Sequence, residues 1–312
     1  MKPAAISIFS GCGGSDLGLV AAGFEVLMAN DISKYACMVY KENIPDIEMV
    51  CGDIREMNTF PKADLLSGCY PCQGYSQGGA RDIKREINSL YMEFHRVLTI
   101  VKPKAFIVEN VSGMLRSNYK ENLDNQLSCF KTAGYRIVGP TILNSYDYGV
   151  AQTRKRIFIA GVRNDIDVNY EFPSPTHGAG KLPHINQQDV LKDLPEWPEG
   201  EFYDLSFHWY YLSRNRRREW DKPSATILSN ARHMPLHPLS PPLVKHGHDR
   251  WQFADDRPAR RFSYREAALL QGFPRDFKFP EEGSLMQRYK AVGNAVPPPL
   301  FKAIAQSLKG IM

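Results

Sequence analysis

The stretch AISIFSGCGGSDLGLVAA, residues 5–22, decides the fold. Residues 5–9 form a short apolar run of strand character. Gly11, Gly13 and Gly14 interrupt it, and residues 16–22 read as a helix. Strand, glycine turn and helix in that order open many α/β ligand-binding units, because a turn without side chains lets a ligand approach the backbone. Taken alone, the three glycines describe a tight structural turn equally well. Working outward, residues 24–29, 49–51, 65–67, 105–108 and 156–162 are further strand-like runs, and residues 90–101 and 122–133 carry helical periodicity. This alternation predicts an α/β protein with a mostly parallel sheet and helices on both faces.

The texture changes after about residue 164. Proline and histidine become frequent, as in FPSPTHGAGKLPH and HMPLHPLSPPLVKHGHDR, and periodicity fades. The reading is a catalytic and cofactor-binding domain over residues 1–165 and a smaller, loop-rich recognition domain over 166–276. A C-terminal segment, 277–312, returns to the first domain, with Leu300, Ile304, Ala305 and Leu308 on one helical face. The chain has 312 residues and a formal net charge of +5. Residues 210–265 hold twelve Lys/Arg against five Asp/Glu, a net of +7. Such a basic face suits a polyanion, although a solvated charged surface produces the same count. No run of about 20 apolar residues predicts a membrane span. There is no secretory pattern at the N-terminus, and six scattered cysteines suit a reducing compartment, so a cytoplasmic location is expected.

Two groups of residues suggest chemistry. The first is ADLLSGCYPCQGYSQGG, residues 63–79, where Cys72 follows an apolar run at the expected carboxyl end of a strand. A cysteine there can act as a nucleophile. Cys69 and Cys72 also make a CxxC, readable as a redox pair or as half of a zinc site; no second CxxC completes such a site, and no metal is expected. The second group is the glycine turn with Asp31 and Asp53. Asp31 lies 20 residues past Gly11, a spacing that suits a ribose-binding carboxylate. Asp53 is placed to accept from an adenine amino group. There is no phosphate-loop Gly-Lys-Ser/Thr, so S-adenosylmethionine suits this set better than ATP.

In order, the motifs Phe9-Ser10-Gly11-Cys12-Gly13-Gly14, Asp53-Ile54, Pro71-Cys72-Gln73, Glu109-Asn110-Val111, Gln152-x-Arg154-x-Arg156, Arg265-Glu266 with Gln271-Gly272-Phe273-Pro274, and Gly293-Asn294-Ala295-Val296-Pro297 resemble those of the 5-methylcytosine DNA methyltransferases. Within residues 213–238, Ser213-Arg214-Asn215-Arg216, Trp220, Pro223, Thr226 and Leu236-His237-Pro238 resemble the GGCC-specific HaeIII-type enzymes. Three departures stand out: Asp31 where Glu is usual, Tyr70 where a small residue or Pro is common, and Ser263-Tyr264 where Thr and an aliphatic residue are frequent.

The resemblance implies a DNA cytosine-5 methyltransferase of a bacterial restriction–modification system. Cys72 would attack carbon 6 of a flipped cytosine. Glu109 would hold the ring N3 and amino group. Arg156 would contact O2 and fix Glu109, and Arg154 would lie nearer the phosphate or thiolate. As residues i and i+2 of a strand, the two arginines are expected to share one face. The implied cofactor pocket comprises Phe9, Gly11, Gly13, Gly14, Asp31, Ile32, Asp53, Ile54, Pro71, Leu90, Asn294 and Val296. Gln73, Ser76, Arg214, Arg216, Arg218, Thr226 and Arg232 would meet double-stranded DNA. A monomer paired functionally with a cognate restriction endonuclease is expected, with a second subunit left open. Three rivals remain. An RNA cytosine methyltransferase would usually carry Cys-Phe-Thr, which is absent. A catalytically idle DNA-binding relative is disfavoured by the joint presence of Cys72, Glu109 and Arg156. A redox protein would use Cys69 and Cys72.

Overall fold

The computed structural model describes residues 1–71 and 89–312. Its largest feature is a seven-stranded sheet. The strands are β1 (Ala4–Ile8), β2 (Glu25–Asp31), β3 (Glu48–Cys51), β4 (Leu65–Gly68), β5 (Ala105–Val111), β6 (Tyr135–Asn144) and β7 (Lys155–Arg163), in the order β3-β2-β1-β4-β5-β7-β6. Strands β1 to β5 pair in parallel, and β7 runs antiparallel between β5 and β6. The connecting helices are α1 (Gly14–Ala21), α2 (Lys34–Asn43), α3 (Leu90–Val101) and α4 (Lys120–Thr132). The order runs outward from β1 in both directions. With right-handed crossovers, the helices of the two halves therefore cover opposite faces, and the reversal between β1 and β4 opens a ligand crevice at the carboxyl ends.

The expected strands and helices are present, with α2 and β6 in addition. The apolar residues of α3 show why it forms: Phe94, Val97 and Leu98 are buried, and Leu90 packs against the same core. Phe94, Phe106 and Phe130 make a cluster with ring centroids 5.0–5.6 Å apart. A Cβ on Gly68 would lie 2.3 Å from the Phe94 ring, so the end of β4 is glycine by packing.

Two compact units divide the chain. One comprises Met1–Asn144, Lys155–Ser174 and Leu300–Met312; the other comprises Ser145–Arg154 and Pro175–Pro299. Residues 277–299 thus belong with the second unit and 300–312 with the first. The first unit gains the apolar face of α8 (Pro298–Leu308), with Leu300, Phe301, Ile304, Ala305 and Leu308 fully buried. The second unit has few regular elements: α5 (Gln187–Leu191), the hairpin β8 (Leu243–Gly247) and β9 (Arg250–Phe253), α6 (Tyr264–Leu270) and α7 (Leu285–Asn294). Both α6 and α7 begin with capping boxes, Ser263 with Glu266 and Ser284 with Gln287. Glu266 also binds Arg260 through both oxygens at 2.7 Å, in a buried pair. No helix among the described residues is long and apolar enough to cross a membrane.

Candidate active site

The carboxyl edge of the sheet in the first unit gathers most of the expected residues. After β1 the chain turns through Phe9, Gly11 and Gly13 at φ of 59°, 57° and 93°. A left-handed Phe is uncommon and costs free energy, which points to a constrained, functional turn. A Cβ at Gly13 would meet Ile44 at 2.8 Å, whereas one at Gly11 would meet nothing within 4 Å. Gly13 is therefore glycine for packing, while Gly11 opens onto free space. At the end of β2, Asp31 Oδ2 accepts from the amide of Gly11 at 2.8 Å, and Oδ1 accepts from the amide of Ser33 at 2.8 Å. The carboxylate that was expected to take a ribose thus also braces the glycine turn. Ile32, beside it, is 66% exposed, an apolar side chain held at the rim.

Two of the expected cofactor residues have partners within the protein. Asp53 does not present a vacant carboxylate: it accepts from the amide of Arg55 and pairs with its guanidinium at 2.7 Å, which holds its carboxyl below the usual range. Ile54 is only 3% exposed and belongs to the core. Phe9 is half-buried with its ring edge-on to Tyr70 at 6.1 Å, so the core and pocket readings of Phe9 meet in one residue. Leu90 opens α3, and Pro71 follows the buried Tyr70.

Beneath the glycine turn lies a polar network that the sequence did not reveal. Asp16 is fully buried and accepts from the hydroxyls of Ser7, Ser15 and Tyr40 at 2.8–2.9 Å. Burial pushes its carboxyl up to about 6, against the pull of those three hydroxyls.

Glu109 and Arg156 form the charged part of the site. Register places Glu109 opposite Phe158 and Val111 opposite Arg156, so the two side chains are diagonal neighbours on one face of the β5–β7 pair. Arg156 Nε lies 3.1 Å from Glu109 Oε1, and both side chains are largely buried. Burial lowers the Arg156 pKa while Glu109 opposes the shift. The next residue, Asn110, donates from Nδ2 to the carbonyl of Tyr70 at 3.2 Å and ties β5 to the chain just before Pro71. Tyr70, unusual at its position, is explained by burial: its hydroxyl donates to Gln126 Oε1 at 2.8 Å. Burial, followed by the charge of Glu109, pushes the Cys69 thiol well up, as expected of an inert structural cysteine. Cys72, Gln73 and Ser76 lie outside the described residues.

The expectation that Arg154 and Arg156 share a face as residues i and i+2 of one strand is corrected, because Arg154 precedes the strand. Strand β7 begins at Lys155, and Arg154 is buried in the second unit, where its Nη atoms donate to the carbonyls of Ile227, Gly293 and Ala295 at 3.0–3.1 Å. Two of these carbonyls flank Asn294, which ends α7 exposed; Val296 is buried. Gln152 Nε2 donates to Gln271 Oε1 at 2.7 Å, and Gln271 Nε2 donates to Val292 O at 2.7 Å. Three sequence motifs are therefore wired together inside one unit.

The basic residues of the second unit sort by structure. Arg214, Arg218 and Arg232 are exposed, and Arg232 Nε donates to the Tyr203 hydroxyl at 3.1 Å. Arg216 is partly buried, lying over the Tyr211 ring at 5.0 Å and donating to the Tyr211 carbonyl. The Thr226 hydroxyl is engaged with the carbonyl of Thr153 at 2.8 Å. Arg260 and Arg261, which add to the sequence count of positive charge, are both buried, and Arg261 stacks over Phe207 at 4.3 Å. The basic excess of residues 210–265 is thus partly structural.

The fold and this edge define a methyltransferase of the α/β class. The chain belongs to the C-5 cytosine-specific DNA methylase family, which it matches over residues 4–310. It is therefore a DNA cytosine-5 methyltransferase that uses S-adenosylmethionine. It is similar to the Type II methyltransferase M.BsuRI of Bacillus subtilis, at 38% identity over 97% of this chain and 78% of that protein. It is equally similar to the Type II methyltransferase M.NgoPII of Neisseria gonorrhoeae, at 38% identity over 97% of this chain and 94% of that protein. Among solved structures, the Dnmt2 methyltransferase of S. pombe superposes with a TM-score of 0.74 at 19% identity, covering 99% of both chains, a likeness of fold alone.

Proposed function

We propose that this chain is the modification enzyme of a Type II restriction–modification system, methylating carbon 5 of a cytosine within a GGCC-containing site through a covalent Cys72 adduct. The observation that carries the chemical reading is the Glu109–Arg156 pair on adjacent strands, with Asn110 tying that strand to the residue before Pro71. The likeness to Type II enzymes and the motif from Arg214 to Pro238 support the biological reading.

In this reading the Cys72 thiolate adds to carbon 6 of a cytosine flipped out of the duplex, which makes carbon 5 nucleophilic; once carbon 5 carries the methyl group, a base removes its proton and the Cys72 thiolate leaves carbon 6. Glu109 contacts N3 and the exocyclic amine as charge builds on the ring, and Arg156 holds Glu109 in place. S-adenosylmethionine, when bound, supplies the electrophilic methyl group. The open space over Gly11, the Asp31 carboxylate and exposed Ile32 fit an adenosine group, with Phe9, Gly13, Gly14, Pro71 and Leu90 completing that side. By the family resemblance Asn294 and Val296 are also assigned to the cofactor, in a Gly-Asn-Ala-Val-Pro motif whose backbone Arg154 holds in shape. Exposed Arg214, Arg218 and Arg232, with Arg216, Gln73 and Ser76, face the DNA, some reading guanine edges and others holding phosphates. Thr226 contributes by bracing this region through Thr153. The enzyme acts as a monomer in the bacterial cytoplasm, alongside an endonuclease that cuts the same site.

The test is direct. Purified chain and S-adenosylmethionine are incubated with plasmid DNA, and 5-methylcytosine is mapped by sequencing. Modified cytosines confined to one position of GGCC sites are expected. Methylation at unrelated sites would reject the specificity. Full turnover by Cys72→Ala would reject the covalent adduct.

A further inference from the structure

Two cysteines that the proposed mechanism does not use meet behind Asp31. Cys37 lies in α2 and is buried; Cys51 closes β3 and is exposed. Cys51 is the register partner of Asp31. The carbonyl oxygen of Asp31 accepts from the Gly52 amide at 3.1 Å and from Cys37 Sγ at 3.3 Å. Besides burial, the neighbouring Cys51 thiol raises the Cys37 thiol. Both are free, and they share the backbone of the residue whose side chain braces the glycine turn.

We propose that Cys37 and Cys51 form a reversible dithiol–disulfide switch, driven by a peroxide, that weakens S-adenosylmethionine binding by displacing Asp31. This rests on the reading of Asp31 as a cofactor contact. Exposed Cys51 reacts first: its thiolate sulfur attacks a peroxide oxygen, the O–O bond breaks, and hydrogen peroxide leaves a sulfenic acid and one water. The sulfur of Cys37 then displaces the hydroxyl group, the S–S bond forms, and a second water departs. In sum, two thiols and one peroxide give one disulfide and two waters. Burial pushes the Cys37 thiol up, which suits the resolving partner rather than the first nucleophile.

The bond changes Asp31 for two reasons. Without its proton, Cys37 can no longer donate to the Asp31 carbonyl. A disulfide also draws the sulfurs to about 2.0 Å, far closer than two thiols in contact. That pull acts on the first turns of α2, whose Ser33 amide donates to Asp31 Oδ1. A re-aimed carboxylate loses hydrogen bonds that depend on its direction.

The experiment uses the full chain carrying Cys72→Ala, so that the proposed nucleophile does not consume oxidant. S-adenosylmethionine affinity is measured by calorimetry before and after stoichiometric hydrogen peroxide, and peptides are mapped without reduction. A Cys37–Cys51 cross-linked peptide is expected, with affinity weakened about tenfold, roughly the loss of one hydrogen bond to a charged group. Dithiothreitol should restore binding, and Cys51→Ser in the same background should show neither effect. Normal binding with no cross-link, or a cross-link with unchanged affinity, overturns the switch. A reduced protein that fails to bind S-adenosylmethionine overturns the site reading and the switch with it.

Discussion

Single side chains decide whether this edge can do chemistry. Glu109 and Arg156 stabilise each other where neither is well solvated. Glu109→Ala should therefore lower kcat by about a hundredfold or more, the usual size for losing a positioned charge-stabilising group. It should also destabilise the fold by about 3 kcal/mol, because Arg156 keeps a half-desolvated charge. Single-turnover kinetics and chemical denaturation separate the two effects. Arg154 makes a different prediction. Its guanidinium serves three carbonyls at once, so Arg154→Ala should cost about 3 kcal/mol. Arg154→Lys should rescue little of this, since one ammonium cannot reproduce a planar fork. A melting temperature unchanged in either variant would show that the carbonyls find other partners. Asp16 gives a pH signature. Its carboxyl titrates at about 6 in the folded chain against an ordinary 3.8, so between those values the native state holds a proton that the unfolded state has released. Stability from this group is present below the ordinary value and is lost as pH rises through about 6. Asp16→Asn should flatten that part of the stability-versus-pH curve, as read from urea midpoints. An identical slope in the variant would assign the pH dependence elsewhere.

At the scale of elements, the site depends on strand ends and on the short segments that follow them. The end of β1 needs Gly11 and Gly13 in left-handed backbone, and the end of β5 presents Glu109 and Asn110 on successive residues. Successive strand residues point to opposite faces, so one turns to Arg156 and the other holds the Tyr70 carbonyl. Helix α7 ends in the Gly-Asn-Ala-Val-Pro motif because a backbone must pass there. A Cβ on Gly293 would fall 2.3 Å from the backbone of Leu228 and Ser229. Gly293→Ala should thus shift one of two backbones and cost about 1–3 kcal/mol, with reduced thermal stability as the readout. An alanine variant as stable as the parent would mean that the segment at Leu228 moves freely.

For the whole molecule, the second unit carries the DNA prediction. Exposed Arg214 and Arg218 are candidates for contact, whereas Arg260 and Arg261 are spent inside the unit. If one of the exposed arginines holds a phosphate, its replacement by Ala should weaken all sequences alike and reduce the slope of log K against log salt by about 0.9. If it reads a guanine, the loss should be confined to GGCC-containing duplexes. Fluorescence anisotropy across salt concentrations, on matched and mismatched duplexes, distinguishes the two. An unchanged affinity for every duplex would remove that arginine from the interface.

Local chemistry made much of this protein legible in its sequence. Period-2 and period-3.6 patterns, together with glycine at the first turn, specify the α/β sheet, because each element must bury one face. The spacing from Gly11 to Asp31 and the ordered motifs point to the cofactor and the cytosine because those residues follow the strand ends on which an α/β site is built. Tertiary structure alone decided what each charged group faces. It placed Glu109 beside Arg156, gave Arg154 to three carbonyls, and packed Ile54 against the core. It turned Asp53 toward Arg55, and buried Asp16 among hydroxyls from Ser7, Ser15 and Tyr40. Partners far apart in sequence carry no local signal; only the register of strands and the packing of loops brings them within a hydrogen bond of one another.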